Sequence, residues 1–208
     1  MRLRYALLAG LGTAWVVTLL ASVGLLVFGY HVMAVPSGSM EPTITVGSFI
    51  VVDQRDRSGG LGDVVTFHAP GWLLGDNTFV KRVVGVGGQT LSCCDDGYLT
   101  RDGSKVVEPY VNRADQPDLG PVVVPAGRVW VAGDNRAKSM DSRAHANDPD
   151  GGAISLTQVT GTVVHIGTRA EAYGFILRRA AIPGLILGII VTLVLIRRQR
   201  RRAGRSAG

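Results

Sequence analysis

The chain has 208 residues, enough for one domain of modest size plus membrane segments. Of its 22 Lys and Arg residues, eight lie at the two ends: Arg2, Arg4 and six arginines within 197–208. The other 14 stand against 16 acids, all between Glu41 and Glu171. The net charge of +6 is therefore a property of the ends and not the basic face of a nucleic-acid-binding domain.

The first expected element is a helix. Ala6–Phe28 is apolar or small throughout, with Tyr5 and Tyr30 at its borders. About 20 such residues cross a bilayer core. A cleaved secretory signal is the alternative, with Val32-Met33-Ala34 as a small-residue site, but the run exceeds the usual signal length. Residues 1–30 are thus expected to be a short cytoplasmic stub and an N-terminal transmembrane helix. From 44 to 170 the sequence turns to short Val, Ile, Phe and Thr-rich runs, punctuated by Gly, Pro and Asp. Strands are predicted at 48–53, 63–68, 78–86, 89–92, 98–101, 128–132 and 159–166. Asp95-Asp96-Gly97 reads as a hairpin turn. Residues 108–125 and 142–155 read as polar loops. With no helices intervening, the pattern predicts a mostly β, antiparallel barrel or sandwich over 31–178.

A second apolar run, Ala180–Ile196, has arginines on both sides. It is at the short limit for a span, and the arginines can snorkel to lengthen it. A buried or surface-lying helix is the alternative. The reading is a C-terminal transmembrane helix over 179–197 and a basic tail over 198–208. Basic residues stay cytoplasmic, so both ends lie inside and 31–178 outside. Arg178 and Arg179 dissent from this, but the tail outnumbers them. The adjacent Cys93 and Cys94 are left open as free thiols, a vicinal disulfide or an intermolecular bond.

Three patches are able to carry chemistry. Ser39 lies in Ser37-Gly38-Ser39-Met40-Glu41-Pro42-Thr43, where Gly38 frees the backbone and Pro42 stiffens the turn. Lys81 lies in the apolar strand Phe79-Val80-Lys81-Arg82-Val83-Val84. A strand lysine is ordinarily a solvated surface residue. If buried, its neutral amine becomes available and can take a proton from a serine. The third patch runs from Gly133 to Arg143, where Ser139 can hydrogen-bond an amine and Asp141 can pair with Arg143. His31, His68, His145 and His165 sit in no motif that suggests a base. No metal-ligand spacing, phosphate-binding loop or nucleotide motif is present, so neither metal nor cofactor is expected.

In order behind an N-terminal apolar segment, these patches resemble the bacterial type I signal peptidases. The likeness rests on Pro36–Thr43, on Gly62-Asp63-Val64-Val65-Thr66-Phe67 and on Val80-Lys81-Arg82-Val83-Val84-Gly85-Val86-Gly87-Gly88. It continues through Gly133-Asp134-Asn135-Arg136 with Ser139, Asp141, Ser142 and Arg143. One N-terminal span plus a C-terminal one is similar to members from some Gram-positive actinobacteria. Gly87-Gly88-Gln89 departs from the frequent Pro-Gly-Asp, a local turn difference.

The resemblance implies a serine endopeptidase of the plasma membrane that removes signal peptides from exported preproteins at Ala-x-Ala sites. Ser39 is the implied nucleophile and Lys81 its base. The Ser39 N–H and the Ser37 hydroxyl are the implied oxyanion donors, each worth roughly 3–4 kcal/mol. Ser139 would orient Lys81, with Asp141 and Arg143 supporting the loop. Substrate would lie extended beside Pro36, Phe79 and Val80, as an added strand. Ser39 follows the apolar run by about ten residues, close to where a signal peptide emerges from the bilayer. The expected partners are secretory preproteins and the lipid bilayer, with no nucleic acid, and the chain is expected to be a monomer. Two rivals remain: a catalytically inactive membrane-anchored binding domain, and a self-cleaving serine–lysine protease of another kind. Retention of both Ser39 and Lys81 speaks against the first, and the membrane segments speak against the second.

Overall fold

The computed structural model describes residues 30–72, 78–111 and 118–205, together with residues 10, 12, 13, 15–17, 19–21, 24 and 29. Much of the apolar run Ala6–Phe28 lies outside these described residues, as do 112–117 of the expected loop. The chain divides into two compact units. One is Met1–Tyr30 with Tyr173–Gly208, and the other is His31–Ala172.

The His31–Ala172 unit is mostly β. In chain order its strands are β1 (Tyr30–Ala34), β2 (Phe49–Asp53), β3 (Val64–His68), β4 (Thr78–Val86), β5 (Thr90–Asp95) and β6 (Tyr98–Arg101). They continue with β7 (Ser104–Lys105), β8 (Leu119–Val123), β9 (Arg128–Ala132), β10 (Ile154–Ser155) and β11 (Val159–Gly167). A seven-stranded sheet has the order β1-β2-β11-β3-β4-β9-β10, and a four-stranded sheet has the order β7-β6-β5-β8. Pairings such as β3 with β4, β4 with β9 and β11 with β2 are antiparallel. The predicted strand at 63–68 begins one residue late, and 78–86, 98–101 and 128–132 match the strands found.

The strands that were not expected lie at sheet edges. Leu119-Gly120-Pro121-Val122-Val123, expected as loop, is β8 and forms one edge of the smaller sheet. Proline is tolerated there because an edge strand need not donate on both sides. The two-residue strands β7 and β10 are edges as well, too short for a period-2 signal to register. Asp96 and Gly97 both take positive φ, 50° and 75°, and join β5 to β6 in a hairpin turn; Asp95, expected as part of that turn, is the last residue of β5. On β5, Cys93 and Cys94 are bonded to each other.

Among the described residues, three apolar clusters fill the unit. Val65, Phe67, Phe79, Val83, Val129 and Val131 pack between the central strands. Leu91, Leu99, Val124 and Trp130 tie the two sheets together. Val35, Met40, Ile44, Ile50, Val52 and Val64 form the third, beneath the segment that carries Ser39.

The described positions among 10–29 are helical, and one continuous helix runs from Arg169, near the end of the His31–Ala172 unit, to Arg205. That helix begins well before the expected span 179–197. Among the described residues no helix is long and apolar enough to cross a membrane. The side chains of 180–185, 187, 195 and 199–205 are not among those described.

Candidate active site

Strand alternation decides the state of Lys81. On β4, Phe79, Lys81 and Val83 share one face, and all three are buried. Lys81 retains 4 % exposure, so it is not a solvated surface lysine. Its Nζ donates to the Ser39 Oγ at 2.8 Å and to the Val80 carbonyl at 3.1 Å. Burial lowers its pKa from 10.5 to about 8, against the opposing pull of Asp141 and Asp134. At neutral pH about a tenth of the amines are then neutral and able to take the serine proton.

Ser39 sits in a single 3-10 turn, Gly38–Met40, entered through the extended residue Ser37. The side chains of Met40 and Ile44 anchor this segment in the third apolar cluster. The Ser37 Oγ lies 3.5 Å from the Ser39 Oγ, the far limit of a hydrogen bond. Ser37, Ser39 and Lys81 line a cleft of about 220 Å³ with Met33, Pro36, Phe79 and Val80, which lends it apolar walls.

The 133–143 loop reaches this turn from the end of β9. A Cβ at Gly133 would collide with the Ser139 side chain and the Ser39 carbonyl, so only glycine allows this approach. Asp141, fully buried, accepts from the Gly133 N–H at 2.9 Å and from both arms of the Arg143 fork at 2.9 and 2.8 Å. Burial alone would push the Asp141 carboxyl up. The Arg143 guanidinium, the Gly133 N–H and the nearby Ser139 hydroxyl outweigh burial and hold it below the ordinary range. The Ser139 Oγ is buried and makes no well-formed hydrogen bond, and it does not bond Lys81. The second acceptor on the lysine is instead the Val80 carbonyl.

Sequence reasoning gave no role to several residues that hold this loop. Asn135 bonds the Ser39 turn twice, from its N–H to the Ser39 carbonyl and from its Nδ2 to the Gly38 carbonyl, each at 3.1 Å. Asp134, buried, takes a bidentate bond from Arg82, whose guanidinium lies 4.2 Å from the Tyr110 ring centroid. Arg136 pairs with Glu108 at 2.7 Å, both nearly buried. The only sequence signal for these was the polar string after β9, because their partners lie 28 to 97 residues away. His145 is stacked on Trp72 and bonded to Asp148. Among the described residues no group of His, Cys, Asp and Glu is arranged to hold a metal ion.

Residues 8–167 match the family described as signal peptidase, peptidase S26. Signal peptidase I of Mycobacterium tuberculosis is 36 % identical over 179 residues, covering 61 % of this chain and 61 % of that protein. Signal peptidase I of Bacillus licheniformis is 36 % identical over 151 residues, covering 65 % and 75 %. The chain thus spans about three fifths of the length of the mycobacterial relative. The crystal structure of a signal peptidase I from Enterococcus faecalis is 25 % identical, with a TM-score of 0.42, covering 50 % of this chain and 96 % of that one.

Proposed function

The chain belongs to the signal peptidase family S26, and from that premise we propose that it is a membrane-bound serine endopeptidase that cleaves signal peptides from exported preproteins. The observation that carries this is the buried Lys81 Nζ, 2.8 Å from the Ser39 Oγ, with a pKa lowered to about 8. Ser39 attacks the scissile carbonyl while Lys81 takes its proton and later returns it to the leaving amine. The Ser39 N–H and the Ser37 hydroxyl receive the developing oxyanion. Asp141, Arg143 and Ser139 shape the loop behind the pair. The apolar cleft bounded by Pro36, Phe79 and Val80 suits an extended peptide with small side chains, such as Ala-x-Ala.

The membrane part of the proposal rests on composition and exposure. Trp15, Val17, Leu19 and Leu20 in the first helical segment, and Ile189, Ile190 and Leu193 in the last, are 43–65 % exposed. Helices leave such groups bare where lipid or another protein covers them. With arginines at both ends, the proposal is two spans, a cytoplasmic tail and an external domain over 31–178.

The test uses the full chain in detergent with a peptide bearing Ala-x-Ala. Wild type is expected to cleave after the second alanine, and Ser39→Ala and Lys81→Met are expected to be inactive. An inactive wild type would favour the binding-domain reading. An active Lys81→Met would remove the lysine from the mechanism.

A further inference from the structure

The Gly38 carbonyl and the Ser39 N–H belong to one peptide unit, a rigid plane whose C=O and N–H point in opposite directions. Whatever fixes the oxygen therefore fixes where the N–H points. Gly38 has no Cβ to limit its own torsions, so the residue itself offers little resistance to rotation of this plane. Two donors hold the oxygen: the Glu41 N–H at 3.2 Å, from within the same turn, and the Asn135 Nδ2 at 3.1 Å, from a loop 97 residues away. A carbonyl only accepts, so the amide nitrogen of Asn135 must be the group that faces it. The Asn135 N–H holds the next plane through the Ser39 carbonyl. The two planes on either side of the nucleophile are thus gripped by one residue. Hydrogen bonds received at a peptide oxygen also polarise the unit and strengthen its N–H as a donor.

We infer that Asn135 is a positioning residue for oxyanion stabilisation: its side chain locks the Gly38–Ser39 peptide so that the Ser39 N–H faces the developing oxyanion. This rests on the Ser39 chemistry proposed above. Lys81 is not involved, since its bonds go to the Ser39 Oγ and the Val80 carbonyl. Asn135 therefore acts on the stabilisation of charge and not on activation of the hydroxyl.

The test compares wild type, Asn135→Ala and Asn135→Asp, each as the full chain in detergent. Three ligands are used: the cleavable Ala-x-Ala peptide, the same peptide ending in an aldehyde, and a version with the scissile carbonyl reduced to CH2. The Ser39 Oγ adds to the aldehyde carbon, its proton passes to Lys81, and the carbonyl π pair moves onto oxygen, which then needs the oxyanion donors. Both variants should lose roughly 10²-fold in kcat, with KM within about threefold. Aldehyde affinity should fall by the same factor as kcat/KM. Affinity for the reduced peptide and the pH midpoint of the rate should stay at wild-type values. Wild-type kcat in either variant would overturn the inference, as would undiminished aldehyde affinity or a pH midpoint that moves. Failure of both variants to fold would overturn it too, because Asn135 would then hold the domain together. A wild type no more active than Ser39→Ala would sink the proposed function along with it. An active wild type with unimpaired Asn135 variants would sink this inference alone.

Discussion

Replacing Lys81 by methionine should make the protein inactive and more stable. The folded protein keeps Lys81 buried with its pKa lowered from 10.5 to about 8. That displacement corresponds to about 3 kcal/mol that the lysine costs the fold at neutral pH. Methionine has similar length and bears no charge, so the cost should vanish in Lys81→Met. For a domain of this size the gain raises Tm by roughly 10 °C. The effect has a pH signature. Below pH 8 the folded and unfolded chains both hold the proton, and the full cost stands. Between 8 and 10.5 the folded chain has released it while the unfolded chain retains it, so wild-type stability rises with pH. The advantage of Lys81→Met should shrink to about 2 kcal/mol at pH 9 and fade above 10.5. Thermal unfolding in detergent at pH 7 and pH 9, followed by circular dichroism, measures both. A variant that melts below wild type at pH 7, or an advantage that does not shrink at pH 9, would refute the argument that burial sets the lysine's pKa.

The same lowered pKa predicts that peptide cleavage rises along a basic limb with its midpoint near pH 8, and a rate flat from pH 6 to 10 would count against a lysine base. Gly133→Ala should cost about 1–3 kcal/mol in stability and roughly 10²-fold in kcat, because the new methyl group must displace Ser139 or the Ser39 carbonyl; denaturant titration and peptide kinetics read the two effects. Asp141→Asn should lower stability by about 3–5 kcal/mol, since it leaves the mostly buried Arg143 charge without its partner, and denaturant unfolding measures this. Protease added to right-side-out vesicles should digest 31–178 and spare a tag fused after Gly208; a tag cut from outside would mean that 180–196 does not span.

Much of this protein could be read from local sequence. The strand at 78–86 was legible because Phe79, Val83 and Val84 sit in a β-branched run closed by Gly87-Gly88, and the 95–98 hairpin because Asp96-Gly97 supplies two residues that tolerate positive φ. Strand β8 was hidden because Gly120 and Pro121 read locally as loop residues, and the edge position that admits Pro121 is a property of the sheet. Ser39 and Lys81 stood out by the turn and the apolar run that surround them. Their chemistry did not: a strand lysine is exposed or buried according to which face the second layer covers. Lowering the Lys81 pKa took the burial of the Phe79–Lys81–Val83 face, and bringing it to Ser39 took a contact across 42 residues. The grip of Asn135 on the Gly38–Met40 turn spans 97 residues, and the Arg136–Glu108 pair spans 28. Periodicity and turn chemistry act over a few residues, so local sequence specified most of the longer strands, the 95–98 turn and the candidate reactive groups. Burial and hydrogen-bond partnership depend on which distant segments meet, so which groups lose water and which peptide planes are held follow from the assembled fold alone.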